Sequence, residues 1–337
     1  MTAEPQVPQF EPFVPRRFLR NRHAMTLAGN FLPRTNDLPE PEEQLFDVEE
    51  DIQVRCHCHW QPSPESRPTV IIVHGLEGSS LSQYVIGTGG KAWKAGMNVV
   101  RMNMRNCGGT EKLTPTLYHS GLSADVGAVL RTLVEQKKLT RVGLVGYSMG
   151  GNLVLKLAGD WGANAPRELT AVAGVSPAVD LGPSADAMHE PLNWIYEYKF
   201  LFSLMGRLRR KVALFPERYK MPARWPRTIR EWDHVVTAHY CGFTGADDYY
   251  HRAAAARVVD KIAVPALIIH AMDDPFIRVL PETRAKIKAN PNITLIETEH
   301  GGHCAFLSPP NGYDGRWAER QVVHFFRHHF SLEPGMS

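Results

Sequence analysis

Apolar positions along the chain fall into short unbroken runs separated by longer stretches of helical period. TVIIV at 69–73, MNVVRMNM from Met97 to Met104, RVGLVG from Arg141 to Gly146, LTAVAGVS from Leu169 to Ser176, VPALIIHA from Val264 to Ala271 and ITLIET from Ile293 to Thr298 each predict a strand. Runs this apolar suit strands buried on both faces of a parallel sheet. IQVRCHCHW at 52–60 alternates instead and predicts a further strand. Helices are predicted at 83–95, 124–138, Met149 to Ala158, about 280–289 and about Trp317 to Phe330. In the second of these, Val126, Val129, Leu130, Leu133 and Val134 trace one helical face, and Ser123 stands in the N-cap place. Strands alternating with helices predict a mostly parallel sheet with helices on both faces, an α/β fold.

The alternation stops at about residue 182. Aromatic, Met and basic residues follow, with no strand of similar quality before Val264. The expected organisation is an N-terminal arm at 1–45, a first core part at 46–181, a helical cap inserted at 182–252 and a second core part at 253–337. The Pro-rich arm is expected to lie over the core, anchored by side chains such as Phe18, Leu27, Phe31 and Leu32. The cap is expected over the C-terminal strand ends, where open α/β sheets place their sites. Trp194, Tyr196, Tyr198, Phe200, Phe202, Leu204 and Met205 are read as the cap's own core, some of them lining a pocket. The basic run Arg207, Arg209, Arg210, Lys211, Arg218, Lys220, Arg224, Arg227 and Arg230 is read as a solvated face, with a surface that attracts anionic lipid or an acidic substrate group as the alternative.

Composition narrows the class. The 337 residues are 43% apolar and 22% charged with a formal charge of +3, which excludes general disorder and gives no argument for nucleic-acid binding. No apolar run approaches the ~18 residues of a membrane span. The first twenty residues lack the apolar core of an export signal. A cytoplasmic protein with five reduced cysteines is expected. Cys56-His57-Cys58-His59 is not read as a metal site, because alternate strand residues face opposite ways. No metal or cofactor is expected.

Candidate chemistry centres on Gly146-Tyr147-Ser148-Met149-Gly150, a G-x-S-x-G between a buried strand and an apolar helix. Small residues at 146 and 150 let the chain reverse around a strained serine. A serine needs a base. The late loops supply Met272-Asp273-Asp274-Pro275 after one strand and Glu299-His300-Gly301-Gly302-His303 after the next. His303 is preferred as base, with His300 the alternative. Asp274 is preferred as the acid that orients it, ahead of Asp273 and Asp180. An oxyanion hole needs two backbone donors, expected from Met149 and from Leu76 in the loop His74-Gly75-Leu76-Glu77-Gly78.

With these pieces together, the chain resembles the α/β-hydrolase superfamily, and within it the YheT-like group of esterases and ABHD-type lipases. The matching motifs are R-x-R-H-x-x-T at Arg20–Thr26, HGLEGSS at 74–80, NMRNCGGT at 103–110, YHSG at 118–121, GYSMGGN at 146–152, DDPF at 273–276 and HGGH at 300–303. The resemblance implies Ser148, Asp274 and His303 as a triad. It also implies hydrolysis of short- to medium-chain carboxylic esters or monoacylglycerols, so that a small ester or lipid is expected as substrate. Asn106 stands where the group usually has Gly. Five residues separate His119 from Asp125, so the H-x4-D acyltransferase motif is not present. Acyl transfer to an alcohol or thiol, and binding without catalysis, are the competing readings.

Overall fold

The computed structural model describes residues 8–332. Its eight strands are β1 (Glu42–Glu49), β2 (Ile52–His59), β3 (Thr69–Val73), β4 (Asn98–Met102), β5 (Val142–Tyr147), β6 (Leu169–Val175), β7 (Ala266–Ala271) and β8 (Ile293–Thr298). They form one sheet in the order β1-β2-β4-β3-β5-β6-β7-β8. β3 to β8 are mutually parallel, whereas β1 and β2 add an antiparallel margin. This is the α/β-hydrolase arrangement.

The arm carries α1 (Arg22–Phe31), and the first core helices are α2 (Gln83–Lys94), α3 (Ser123–Lys137) and α4 (Met149–Trp161). Between β6 and β7 come α5 (Leu181–Met188), α6 (Trp194–Leu214), α7 (Ile229–Trp232), a π-helical turn Asp233–Ala238, α8 (His239–Cys241) and α9 (Ala246–Ala253). The chain closes with α10 (Pro281–Ala289) and α11 (Trp317–His329). Strand alternation divides the core. Ile71 and Val73 of β3 face α3 and α4, while Val70 and Ile72 face α2 and α11. The sheet leaves room for large rings only where it lacks side chains: a Cβ on Gly143 would stand 2.5 Å from the Phe326 ring.

The structure departs from the sequence pattern in several places. β1 is not predicted, because Phe46 is its one buried residue and four of the other seven are acidic. Ser123 does not cap α3: Leu122 holds that place, and the Ser123 hydroxyl turns to Asp160 at 3.4 Å. The arm is not anchored by Phe18, Leu27 or Phe31, all of which are exposed. Met25, wholly buried against Ala305 and Leu307, does that work, with Phe13 and Leu32 packed beside it. The aromatics of α6 do not all form an inner core. Tyr196, Leu204 and Met205 are buried, but Trp194, Tyr198 and Phe202 point outward. The basic run is not one solvated face either, since Arg207 and Lys211 are buried.

Candidate active site

β5 runs straight into Ser148, whose backbone sits at φ 53°, ψ −117° before α4 begins. An L-residue held in such a conformation costs of order 1–3 kcal/mol and persists only where its surroundings enforce it. They do. Its N–H donates to Val175 O at 2.9 Å, and its carbonyl accepts from Asn152 and Ala178 at 3.1 and 3.2 Å. Gly146 and Gly150 are required, because a Cβ on either would strike main-chain atoms of the reversal or of the β3 terminus. The side chain therefore projects at the positive end of α4.

The loop after β3 closes against this serine. A Cβ on Gly75 would be 3.2 Å from that of Ser148. His74 shapes the loop: its Nδ1 donates to Gly75 O at 2.7 Å and its Nε2 accepts from Met104 N–H at 3.1 Å. That pattern requires the neutral ring, and burial lowers its pKa to about 4. Leu76 and Met149 line the same cavity as Ser148. Among the described residues neither the Leu76 nor the Met149 amide donates a hydrogen bond within the chain.

The loops after β7 and β8 meet. His303 Nδ1 donates to Asp274 Oδ2 at 2.9 Å. The other oxygen of the wholly buried Asp274 accepts the Phe276 and Ile277 amides at 3.1 and 2.9 Å. Burial opposes a charged His303, but the Cys304 sulfur and the Asp274 carboxylate outweigh it and hold its pKa above the ordinary value. Its Nε2 contacts Cys304 Sγ at 3.6 Å. The Phe276 ring packs 4.3 Å from the imidazole and lines the cavity that Ser148 enters. Among the described residues no hydrogen bond joins Ser148 to His303. Such bonds often tighten only when substrate binds.

The alternative acids lie elsewhere in role. Asp273 accepts the Gly302 N–H at 2.9 Å and faces His300 at 3.4 Å. Asp180 accepts from the Leu280 amide and the Thr283 hydroxyl, each at 2.9 Å, and so holds the start of α10. Neither bonds to His303.

Two positioning features escape a sequence reading. Thr26 of α1 accepts the His303 N–H at 2.9 Å and donates to Arg22 O at 2.7 Å. An arm residue thus pins the loop that carries the imidazole. The signal was present in R-x-R-H-x-x-T, but nothing in the motif shows which loop it reaches. Glu77 is the second. At φ 56° it accepts from Arg207 Nε at 2.8 Å, from Tyr118 OH at 2.5 Å and from the Ser203 hydroxyl. Arg207 also bonds to Asn106 O, and Asn106 itself sits at φ 63°, a conformation Asn tolerates better than most residues.

The cavity holds about 1000 Å³ of empty space, its mouth included. Leu76, Ser148 and Met149 lie on its core side, and Phe200, Leu204 and Trp232 come from the helical insertion. No cluster of His, Cys, Asp or Glu suited to a metal ion occurs among the described residues. No described helix is long and apolar enough to cross a membrane.

Comparison with known proteins agrees with the fold. The sequence pattern described as alpha/beta hydrolase fold matches residues 68–310. An Escherichia coli (strain K12) protein named "Putative esterase YheT" is 30% identical over 325 residues, covering 92% of this chain and 91% of its own length. Mouse (Mus musculus) phospholipase ABHD3 is 30% identical over 246 residues, 72% of this chain, and the match spans 59% of that longer protein. Among solved structures, the Pyrococcus furiosus esterase Pf2001 superposes with a TM-score of 0.56 at 16% identity, over 86% of this chain and 92% of that one, a likeness of fold.

Proposed function

The chain belongs to the alpha/beta hydrolase fold family, and from that premise we propose that it hydrolyses short- to medium-chain carboxylic esters, monoacylglycerols among them, through Ser148, His303 and Asp274. The observation that carries the reading is the 2.9 Å pair of the partly buried His303 with the buried Asp274, joined through the Phe276 ring to the largely apolar cavity that the strained Ser148 also lines. Esterase, phospholipase and lipase names among the relatives support ester bonds as the target.

In this mechanism Ser148 Oγ attacks the ester carbonyl carbon as His303 Nε2 takes its proton. The carbonyl oxygen becomes an oxyanion and accepts from the Leu76 and Met149 amides. Collapse breaks the carbon–oxygen bond to the alcohol, which leaves with the proton from Nε2. Water then repeats the attack on the acyl-enzyme. Its proton passes to Nε2 and on to Ser148 Oγ as the acid is released. Asp274 keeps the proton on Nδ1, so that Nε2 starts as the acceptor, and stabilises the imidazolium.

The test is hydrolysis of p-nitrophenyl esters of graded chain length by wild type and Ser148→Ala. The expected result is a loss of at least about a thousandfold in kcat with the fold retained. Activity that survives in Ser148→Ala, or a folded wild type inactive on every ester, overturns the proposal. Added alcohol that diverts product from acid to new ester would move the activity toward acyl transfer.

A further inference from the structure

Helix α6 has two apolar faces in its first half. The inner one is expected: Tyr196, Leu201, Leu204 and Met205 pack inside the insertion, and Phe200 lines the cavity. The outer one has no covering partner among the described residues. Trp194, Ile195, Tyr198 and Phe202 are 53%, 55%, 56% and 70% exposed, and Leu192, just before the helix, is 63% exposed. Trp194, Tyr198 and Phe202 recur every fourth residue, so they form one stripe about 12 Å long at 1.5 Å per residue. Large apolar side chains on an exposed helix face are ordinarily scattered singly, and a contiguous row marks an interaction surface.

The charges on the same face say which surface. Beyond the stripe the outer face continues with Arg209 and Arg210, and Lys199 lies within it, all three exposed. Arg209 stacks on the ring of Trp225, 5.6 Å from its centroid, and Arg210 bonds to Glu111 at 2.9 Å. The helix has a single acid, Glu197, and it is buried, accepting the Ile229 amide at 2.9 Å. The helix's own exposed side chains on this face are therefore apolar or cationic, although the Arg210 charge is already paired with Glu111. Trp and Tyr with flanking Lys and Arg are the composition that settles at the boundary between headgroups and acyl chains. A second protein copy would meet like charge on like charge.

We propose that the outer face of α6 is a docking surface for an anionic phospholipid bilayer. Trp194, Ile195, Tyr198 and Phe202 enter the acyl boundary, and Lys199 and Arg209 meet the anionic headgroups. Because the opposite face of this helix walls the cavity, adsorption brings the cavity beside lipid-dissolved esters. In that purpose the inference rests on the proposed ester hydrolysis, but the binding itself does not.

The experiment is co-sedimentation of the Ser148→Ala protein with vesicles of phosphatidylcholine alone and of phosphatidylcholine with phosphatidylglycerol. The Ser148→Ala background removes turnover from the readout, so failure to bind and failure to hydrolyse are read separately. Binding is expected to the anionic vesicles, weakening as salt is raised. Trp194→Ser with Phe202→Ser is expected to weaken it at least about tenfold. Lys199→Glu with Arg209→Glu is expected to abolish the preference for anionic lipid. In an active background the Trp194→Ser/Phe202→Ser variant should keep wild-type turnover of a water-soluble p-nitrophenyl ester, which certifies its fold. Equal binding by wild type and this variant overturns the proposal, as does a wild type that stays in the supernatant with both vesicle types. A wild-type dimer in size exclusion that the variant converts to monomer also overturns it and assigns the stripe to a contact between copies.

Discussion

Removing both Glu77 and Arg207 should cost about as much as removing either one alone. Their side chains are 6% and 10% exposed, and the pair ties the loop that carries Leu76 to α6. Breaking a buried ion pair from one side typically costs about 3–5 kcal/mol, because the remaining charge is left desolvated. Arg207→Met leaves Glu77 with the Tyr118 and Ser203 hydroxyls, which places it near the lower end, at about 3 kcal/mol. Glu77→Gln leaves the guanidinium with Asn106 O, the Tyr118 ring and the Glu111 carboxylate 3.9 Å away, and should cost about the same. The double variant removes both charges, so the coupling free energy from the cycle should be about 3 kcal/mol. Urea denaturation at pH 7, followed by tryptophan fluorescence, measures all four proteins. Burial pushes the Glu77 carboxyl up, but Arg207 and the hydroxyl donors outweigh it and hold its pKa below the ordinary value. Its contribution is thus present above the unfolded carboxyl pKa and lost as pH falls, so the coupling should shrink below about pH 4. A coupling under about 0.5 kcal/mol at pH 7 would show that the hydroxyls alone hold the loop, and would refute the reasoning.

Other outcomes follow from the same geometry. Thr26→Val removes the acceptor of the His303 N–H and should lower kcat roughly five- to tenfold with KM little changed, the worth of one hydrogen bond, while Thr26→Ser restores it. Equal kcat for Val and Thr would dismiss the arm as a positioning element. The pH profile of kcat/KM should fall on the acid side as His303 takes its proton, with a midpoint above the ordinary histidine value near 6.5, because its pKa is raised. Asp274→Asn removes part of that rise, so the limb should move to lower pH as kcat drops. A limb that stays in place would mean that another group sets it.

The strand alternation, the order of elements and the Gly146–Gly150 turn are legible in the chain because they are local. Buried parallel strands must be apolar throughout, and a strand-to-helix reversal around Ser148 tolerates only glycine at its two flanks. The preference for Asp274 and His303 is legible for a related reason, since both follow strand ends that the sheet brings side by side. The edge strand β1 is not, because its exposed faces carry almost no apolar pattern. Nor is the division of work among neighbours. Asp273, Asp274 and Asp180 are all acids after strands, and only the packed loops decide that Asp274 bonds to His303, Asp273 to Gly302 and Asp180 to the start of α10. Thr26 lies 277 positions from His303, too far for any local rule, and Arg207 reads as one more member of a basic run until α6 folds back over Glu77. The aromatics of α6 show the same limit. Their spacing specifies a helix, but which of its faces is covered depends on what the rest of the chain places against it, and that is decided only when distant segments pack.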